Sequence, residues 1–281
     1  MKITIGLNWR SLKMLPALPL LAIGIIPLSP ANAAIVNITD GGSTFIVDTD
    51  SSAGMYHWDV GSANQLNQQW FWYRVGTGLA QPINNISLSA VSTPLPNLLV
   101  TTYANAQLSL SVSYLLNGGG VGSGNADIIE TISIKNLSGS PLDFHLFQYS
   151  DFNLLGTALG DSASSGAPSP IIQWEGGSAL TETTTLPPAD RWEIGVYDTT
   201  RNSLNTVAGY DLANTPGVVN GDVTWAFQWD RIIGTSPSDD EITITKDKGL
   251  RLEAVPEPSA LALLTFGVTA LAMLRKSRAG R

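Results

Sequence analysis

Apolar and polar residues alternate with a period of two along most of the chain between residues 34 and 254. In the clearest segment, the alternate positions 108, 110, 112, 114 and 116 are all apolar, and serines stand at 109, 111 and 113. Such alternation is typical of a β-strand with one face against a core. We find no long stretch with helical periodicity in this region. The pattern predicts an all-β fold, arranged as a single large antiparallel β-sandwich.

The same alternation, with Gly, Asn, Asp and Pro turns between the segments, predicts about thirteen short strands. They cover residues 43–48, 55–60, 68–75, 83–91, 98–103, 108–116, 128–135, 142–150, 170–174, 179–185, 191–198, 224–229 and 242–245. Residues 156–170 are rich in Gly, Ser, Ala and Pro, and we expect them to form a long loop.

The N-terminal residues 1–33 have the pattern of a secretory signal peptide. A basic start is followed by the apolar segment 14–28 and by small residues at Ala31 and Ala33. This order predicts cleavage in front of Ala34. The alternative is a first transmembrane helix, but three prolines interrupt the apolar segment, and proline breaks a helix.

The C-terminal residues 255–281 have three parts. Pro256, Glu257 and Pro258 come first and favour extended backbone. A short apolar helix is predicted over 259–274, and a tail at 275–281 follows. The tail holds four basic residues that would flank the membrane: Arg275, Lys276, Arg278 and Arg281. Basic residues after an apolar span predict a cytoplasmic C-terminus, with the preceding chain on the other side.

This C-terminal arrangement resembles the PEP-CTERM sorting signal of exported bacterial proteins, a module also labelled an ice-binding protein C-terminal domain. Residues 256–258 match the motif, 259–274 the membrane helix and 275–281 the basic tail. The resemblance implies processing by signal peptidase and by a membrane enzyme called exosortase. It implies an inner-membrane anchor, with the ectodomain 34–254 outside the cytoplasm, followed by delivery to the cell surface or the medium. A plain single-pass anchor is the alternative.

Composition and charge narrow the classes of function. The 281 residues include no Cys, which excludes a thiol nucleophile and leaves stability to the core alone. Acidic residues outnumber basic ones by 23 to 15, for a net charge of −8. Because nucleic-acid binding needs a positive surface, no nucleic-acid partner is expected.

His145 belongs to the best titratable cluster in the sequence. The alternation places it on one strand face with Asp143 and Asp151. A histidine oriented by a carboxylate can perform acid–base catalysis. A polysaccharide-acting hydrolase or lyase around His145 is therefore one alternative function. The sequence indicates no nucleophile, and the simpler interpretation is a structural histidine, hydrogen-bonded at a sheet edge.

Tryptophans offer a second alternative, a polysaccharide-binding module. Exposed indoles can stack on sugar rings, and the candidates are Trp70, Trp72 and Trp192. Trp225 and Trp229 share a strand face with an aromatic neighbour, so we expect both in the core. An ice-binding face is not expected, because the threonines form only two short rows.

An incomplete calcium loop is the one candidate metal site, and no other cofactor is expected. Its oxygen ligands would come from Asp48, Asp50, Ser52 and Asp59, which have the spacing of alternate loop positions. Ala53 stands where such a loop needs glycine, which weakens the match.

Glu130 lies on a strand face that otherwise carries isoleucines and is therefore expected to be buried. A buried carboxylate needs a partner, and we expect an ion pair with Arg74 or Arg231.

The strongest sequence signals concern delivery of the protein, and the chemical signals are weak. We therefore expect a non-catalytic structural or adhesive ectodomain rather than an enzyme. The two alternatives remain the polysaccharide-binding module and the enzyme around His145.

Overall fold

The computed structural model describes residues 35–61 and 63–253. The predicted signal peptide 1–33 with its cleavage site at Ala34, and the predicted sorting signal 255–281, lie outside the described residues. Within the described ranges, no helix is long and apolar enough to cross a membrane.

The described chain consists almost entirely of strands. The first eleven are β1 (Ile35–Asp40), β2 (Ser43–Asp48), β3 (Gly54–Val60), β4 (Ala63–Asn64), β5 (Leu66–Val75), β6 (Gln81–Pro82), β7 (Leu88–Leu95), β8 (Leu98–Ala104), β9 (Leu108–Asn117), β10 (Asn125–Asn136) and β11 (Leu142–Phe152). The remainder are β12 (Asp161–Ser165), β13 (Ile171–Glu175), β14 (Ser178–Leu186), β15 (Arg191–Val196), helix α1 (Thr199–Thr206), β16 (Val218–Gly221), β17 (Val223–Ile233) and β18 (Glu241–Arg251). Single 3₁₀ turns occur at Ile83–Asn85 and Leu154–Gly156.

The strands form two nine-stranded sheets. Sheet A has the order β1-β2-β3-β5-β11-β17-β15, with β4 beside β3 and β6 beside β5. Sheet B has the order β16-β12-β13-β14-β18-β10-β9-β8-β7. All pairs are antiparallel except a short parallel contact between β3 and β5. The predicted all-β fold with antiparallel sheets is confirmed.

Several details of the strand prediction are wrong, including the omission of β1 and β16. The expected loop 156–170 contains β12, whose Ser and Ala residues pair with both β13 and β16. Helix α1 was not expected, because it has eight mostly polar residues and buries only Thr200 and Leu204. Residues 83–85 form a 3₁₀ turn in front of β7, rather than the start of a strand.

The hydrophobic core fills the space between the sheets, as the alternation predicts. In β9 the apolar residues are buried and the serines between them are partly exposed. Trp225 and Trp229 are fully buried, which confirms their placement in the core. The ring of Trp225 stacks on Phe152 of the neighbouring strand, with ring centroids 5.4 Å apart.

Trp70 and Trp72 are buried rather than exposed, which corrects their assignment as glycan-binding residues. Both alternate with Phe71 along β5, and covering segments bury them on the second face of sheet A. The indole N–H of Trp70 donates to Asn84 at 3.0 Å, and that of Trp72 donates to Asn205 of α1 at 2.9 Å. A sugar in solvent therefore cannot stack on them. Trp192 is half-buried.

The predicted calcium ligands do not converge. Asp48 pairs with Gly54 at one end of the β2–β3 hairpin, while Asp59 pairs with Thr44 near the other end. Five residues of β3 separate these positions, which is about 17 Å in extended chain. Asp48 accepts hydrogen bonds within its own turn, from the backbone of Asp50 and the hydroxyl of Ser51. Asp59 contacts His57 at 2.8 Å.

Glu130 is fully buried, but its partners are lysines, so the predicted pairing with Arg74 or Arg231 is wrong. Its Oε1 lies 2.5 Å from Nζ of Lys248, and its Oε2 contacts Lys246. Lys246 also contacts Glu182 of β14, and all four side chains have no exposure. The buried charges therefore sum to zero, which is the condition under which a core tolerates them.

This four-residue charge network, formed by Glu130, Glu182, Lys246 and Lys248, joins the two sheets. All four residues belong to sheet B. Sheet A contributes polar partners: the Trp225 indole N–H donates to Glu182 at 3.0 Å, the Ser150 hydroxyl donates to it at 3.2 Å, and the Gln69 amide oxygen contacts Lys248. The network therefore fixes the inner faces of β5, β11 and β17.

Candidate functional site

Polar side chains cluster on the outer face of sheet A. They lie on β5, β11 and β17, whose inner faces contact the charge network, and on β15. The register places His145 of β11 opposite Arg74 of β5 on one side and opposite Asp230 of β17 on the other. Arg191 of β15 is opposite Gln228 of β17. Directly opposed residues of antiparallel strands project to the same side. These strands therefore present one polar surface, and Asp211, from the segment after α1, lies over it.

His145 is held between two carboxylates. Its Nδ1 lies 2.5 Å from Oδ1 of Asp230, and its Nε2 lies 3.4 Å from Oδ1 of Asp143. The side chain is 12% exposed, whereas that of Asp143 is 55% exposed. Because the short contact to Asp230 occupies Nδ1, the other nitrogen is the one on the open side. The prediction of an edge position is wrong, since β11 lies between β5 and β17.

The carboxylate of Asp211 is a second group of the site, beside the group formed by His145, Asp230 and Asp143. Its Oδ1 accepts hydrogen bonds from Arg74 at 2.9 Å and from Gln228 at 2.8 Å, and its Oδ2 is 3.7 Å from Arg191. Partial burial acts to raise the pKa of Asp211, but the hydrogen bonds from Arg74 and Gln228 and the two arginine charges outweigh it. The pKa of Asp211 is therefore lowered, and the group stays ionised at neutral pH.

Arg74 is a buried residue of sheet A that holds Asp211 and the neighbouring backbone in place. It is 4% exposed, and it donates to the backbone carbonyl of Tyr210 at 2.6 Å as well as to Asp211. Its guanidinium lies 5.6 Å from the ring centroid of Phe147, which is within cation–π range. The segment that carries Asp211 is thus fastened to sheet A at two points.

Gln228 connects Asp211 with Asp230, the carboxylate beside His145. Its amide nitrogen donates to Asp211 at 2.8 Å and to Asp230 at 2.7 Å, and its oxygen accepts from the backbone N–H of Leu212 at 2.8 Å. The two carboxylates therefore keep a fixed separation, with His145 beside one of them.

The donor set argues against a resident metal at this site. Ligand atoms of His145, Asp211 and Asp230 lie within 4.8 Å of one another. However, Arg191 contacts both carboxylates at 3.7 Å, and Arg74 binds one of them. The arginines and Gln228 already satisfy these oxygens, and a divalent ion here would be repelled by the guanidinium charges.

Asp151, which the sequence placed with His145, is not part of the site. It lies six residues further along β11, about 20 Å away in extended chain, and accepts a hydrogen bond from Asn67 at 2.8 Å. Burial raises its pKa to about 6. Of the two predicted carboxylates, only Asp143 contacts the histidine.

No protein-family model and no curated protein matches the sequence. Among solved structures, the chain is similar to a protein from Escherichia coli K12 assigned as an aldose 1-epimerase, with 11% identity, a TM-score of 0.51, and coverage of 79% of this chain and 99% of that one. A protein from the human microbiome assigned as a kojibiose phosphorylase has 12% identity, a TM-score of 0.45, and coverage of 85% and 33%. The galactose mutarotase related enzyme from Lactobacillus acidophilus has 10% identity, a TM-score of 0.42, and coverage of 80% and 99%.

The similarity to the Escherichia coli protein, at a TM-score of 0.51, contradicts the expectation of a non-catalytic structural or adhesive domain, and with it the expectation that the protein is not an enzyme. The described fold is that of the protein assigned as an aldose 1-epimerase. The description as a sorted surface protein is corrected too, because the described residues have the fold of a protein assigned as an aldose 1-epimerase. The predicted membrane helix 259–274 lies outside these residues, which contain no helix that could cross a membrane. At 11% identity the likeness shows the fold alone.

Proposed function

We propose that the protein is a carbohydrate-active enzyme that performs acid–base chemistry at the anomeric carbon of a sugar, at the site around His145. The observation that carries this proposal is the pair formed by His145 Nε2 and the Asp143 carboxylate, 3.4 Å apart, on the exposed side of the cluster. The fold similarity to a protein assigned as an aldose 1-epimerase supports a sugar as the substrate.

The spacing of this pair suits the interconversion of α and β anomers. The anomeric hydroxyl and the ring oxygen are bonded to the same carbon, so adjacent acid and base groups can serve both. The Asp143 carboxylate removes the hydroxyl proton while the protonated His145 donates its Nε2 proton to the ring oxygen. The bond from the anomeric carbon to the ring oxygen breaks, and a carbonyl forms. Rotation of the open aldehyde followed by the reverse transfers gives the other anomer.

The remaining residues of the site have supporting roles in this proposal. Asp230 holds the Nδ1 side of the His145 ring, so that Nε2 faces the substrate. Arg191 is 42% exposed and Asp211 38% exposed, which leaves both able to exchange hydrogen bonds with sugar hydroxyls. Arg74 and Gln228 are buried and act by positioning Asp211.

Exchange spectroscopy by NMR on a panel of aldoses tests the proposal. We expect the wild-type protein to accelerate the exchange of α and β anomers of at least one aldose, and the His145→Gln variant to lose this acceleration. If the wild type exchanges none of the aldoses faster than buffer does, the proposal is wrong.

We also propose that the protein works outside the cytoplasm. The support is the order of basic, apolar and small residues in 1–33 and the motif at 256–258, both outside the described residues. The intact mass of the mature protein checks this proposal, since export predicts a chain that begins at Ala34. A chain that begins at Met1 would contradict it.

A further inference from the structure

Asp161 is a buried carboxylate to which no described residue donates a hydrogen bond. It is the first residue of β12 and is 1% exposed. Neither carboxylate oxygen accepts a hydrogen bond in the described part of the chain. The Gln173 side chain and the Leu154 backbone N–H lie near the carboxylate and act to lower its pKa, without satisfying either oxygen. A carboxylate buried in this way is costly unless a further group compensates it.

Other oxygen atoms surround this carboxylate. Gln173 lies on β13 opposite Ala163, so its side chain is on the same face as that of Asp161. Its Nε2 donates to the Phe152 carbonyl at 2.8 Å, whereas its fully buried Oε1 accepts no hydrogen bond from the described residues. Asn153, beside Leu154, has a buried side-chain oxygen in the same condition.

The carboxylate of Glu175 comes close to the same place. Its Oε1 is 2.5 Å from the position that a Cβ on Gly160 would occupy, and Gly160 directly precedes Asp161. The absence of a side chain at Gly160 is what admits this carboxylate. Two carboxylates and the Gln173 amide oxygen thus lie near the start of β12 and along β13, and the Thr157 hydroxyl donates to the Glu175 carboxylate at 3.0 Å.

We propose that Asp161, Glu175 and Gln173 bind a calcium ion near the start of β12, with carbonyl oxygens of the Leu154–Gly156 turn completing the shell. The donors are all oxygen, which suits a hard cation and not zinc or copper. Calcium accepts irregular shells of carboxylate, amide and carbonyl oxygens, whereas magnesium demands a near-ideal octahedron. This site lies on sheet B, is separate from the His145 site, and does not depend on the proposed function.

The acidity of Asp161 supports the geometry. Burial raises its pKa to about 7; the approach of Gln173 and Leu154 opposes the rise, and the charges of Glu175 and Asp222 add to it.

Thermal unfolding with added CaCl₂, measured from an EGTA-treated baseline at pH 8, tests the proposal. At a concentration about a hundred times Kd, calcium should raise the Tm of the wild type by roughly 5 °C or more. Asp161→Asn should abolish this rise, and it should not lower the Tm measured without calcium, since a neutral amide replaces a buried carboxylate. Asp127→Asn is the matched control, because the pKa of Asp127 is also raised to about 7, yet Asn117 donates to its carboxylate.

Two outcomes would overturn the proposal. One is a wild-type Tm that does not respond to about 10 mM CaCl₂, roughly ten times the weakest Kd of extracellular calcium sites. The other is an Asp161→Asn variant that responds as the wild type does. Either result would show that Asp161 is not a calcium ligand. Titration calorimetry gives the second readout, in which the wild type should bind calcium and the Asp161→Asn variant should not.

Discussion

Replacing Glu182 with Ala should lower the free energy of unfolding by about 3–5 kcal/mol, the range for breaking a buried ion pair. The substitution leaves Lys246 and Lys248 fully buried with Glu130 as their one remaining carboxylate. It also removes the acceptor for the Trp225 indole N–H and the Ser150 hydroxyl. Urea unfolding followed by tryptophan fluorescence measures the change.

The pH dependence of stability is a second test of the contribution of Glu182 to folding. Burial acts to raise its pKa, but the charges of Lys246 and Lys248 and hydrogen bonds from Lys246 and Trp225 outweigh it and lower the pKa to about 2. This folded-state pKa is below the group's ordinary value of 4.5. The stability that ionised Glu182 contributes is therefore complete above about pH 4.5 and is lost as the pH falls toward 2. The Glu182→Ala variant should lack this part of the acid dependence.

Two comparisons of unfolding free energy distinguish the buried charge network from surface ion pairs. Asp240→Ala removes a partner of Lys135 in a surface pair at 3.3 Å and should cost less than about 1 kcal/mol. The double replacement Glu182→Leu with Lys246→Leu removes one charge of each sign and should cost less than the sum of the two single changes. Additive costs would show that these side chains do not act as a pair.

The His145→Gln variant should lose anomer exchange by a factor of about 10²–10⁴, the usual contribution of a general acid or base. Glutamine can occupy the space of the imidazole, but it cannot transfer a proton to the ring oxygen. Asp143→Asn should produce a loss of similar size, because it removes the base.

His57 provides the matched control for this substitution. It is the other of two histidines in the chain, and it also contacts a carboxylate, that of Asp59, at 2.8 Å. It belongs to β3 and is not a member of the cluster. His57→Gln should leave the exchange rate unchanged. A loss in both variants would indicate impaired folding and would contradict the assignment of the acid to His145.

The sequence predicts strands well where alternation is long and fails where it is short or interrupted. The alternating Leu and Ser of β9 predicts both the strand and its buried face, because one side must face a core. In β12 the Ser and Ala residues carry no comparable contrast. The alternation of β18 extends further than the prediction, since Lys246 and Lys248 follow Ile244 on the inward face. Lysine at an inward position gives no apolar signal, so the partners of Glu130 were missed.

The site was predictable only along one strand. Period two places Asp143 and His145 on the same face, and the structure confirms their contact. Asp230, Arg74 and Arg191 come from three other strands, and their positions depend on strand order and register. Asp211 comes from a connecting segment with no periodicity. The predicted strand 224–229 stops one residue before Asp230, whereas β17 continues to Ile233.

The most direct test of the account is the NMR signal of the histidine ring nitrogens during a saccharide titration. Two histidines give a spectrum that substitution can assign. We predict that an aldose whose anomers the protein interconverts shifts the Nε2 signal of His145 and leaves His57 unchanged. An aldose that is turned over without moving the His145 signal would contradict the placement of the active site on this face of sheet A.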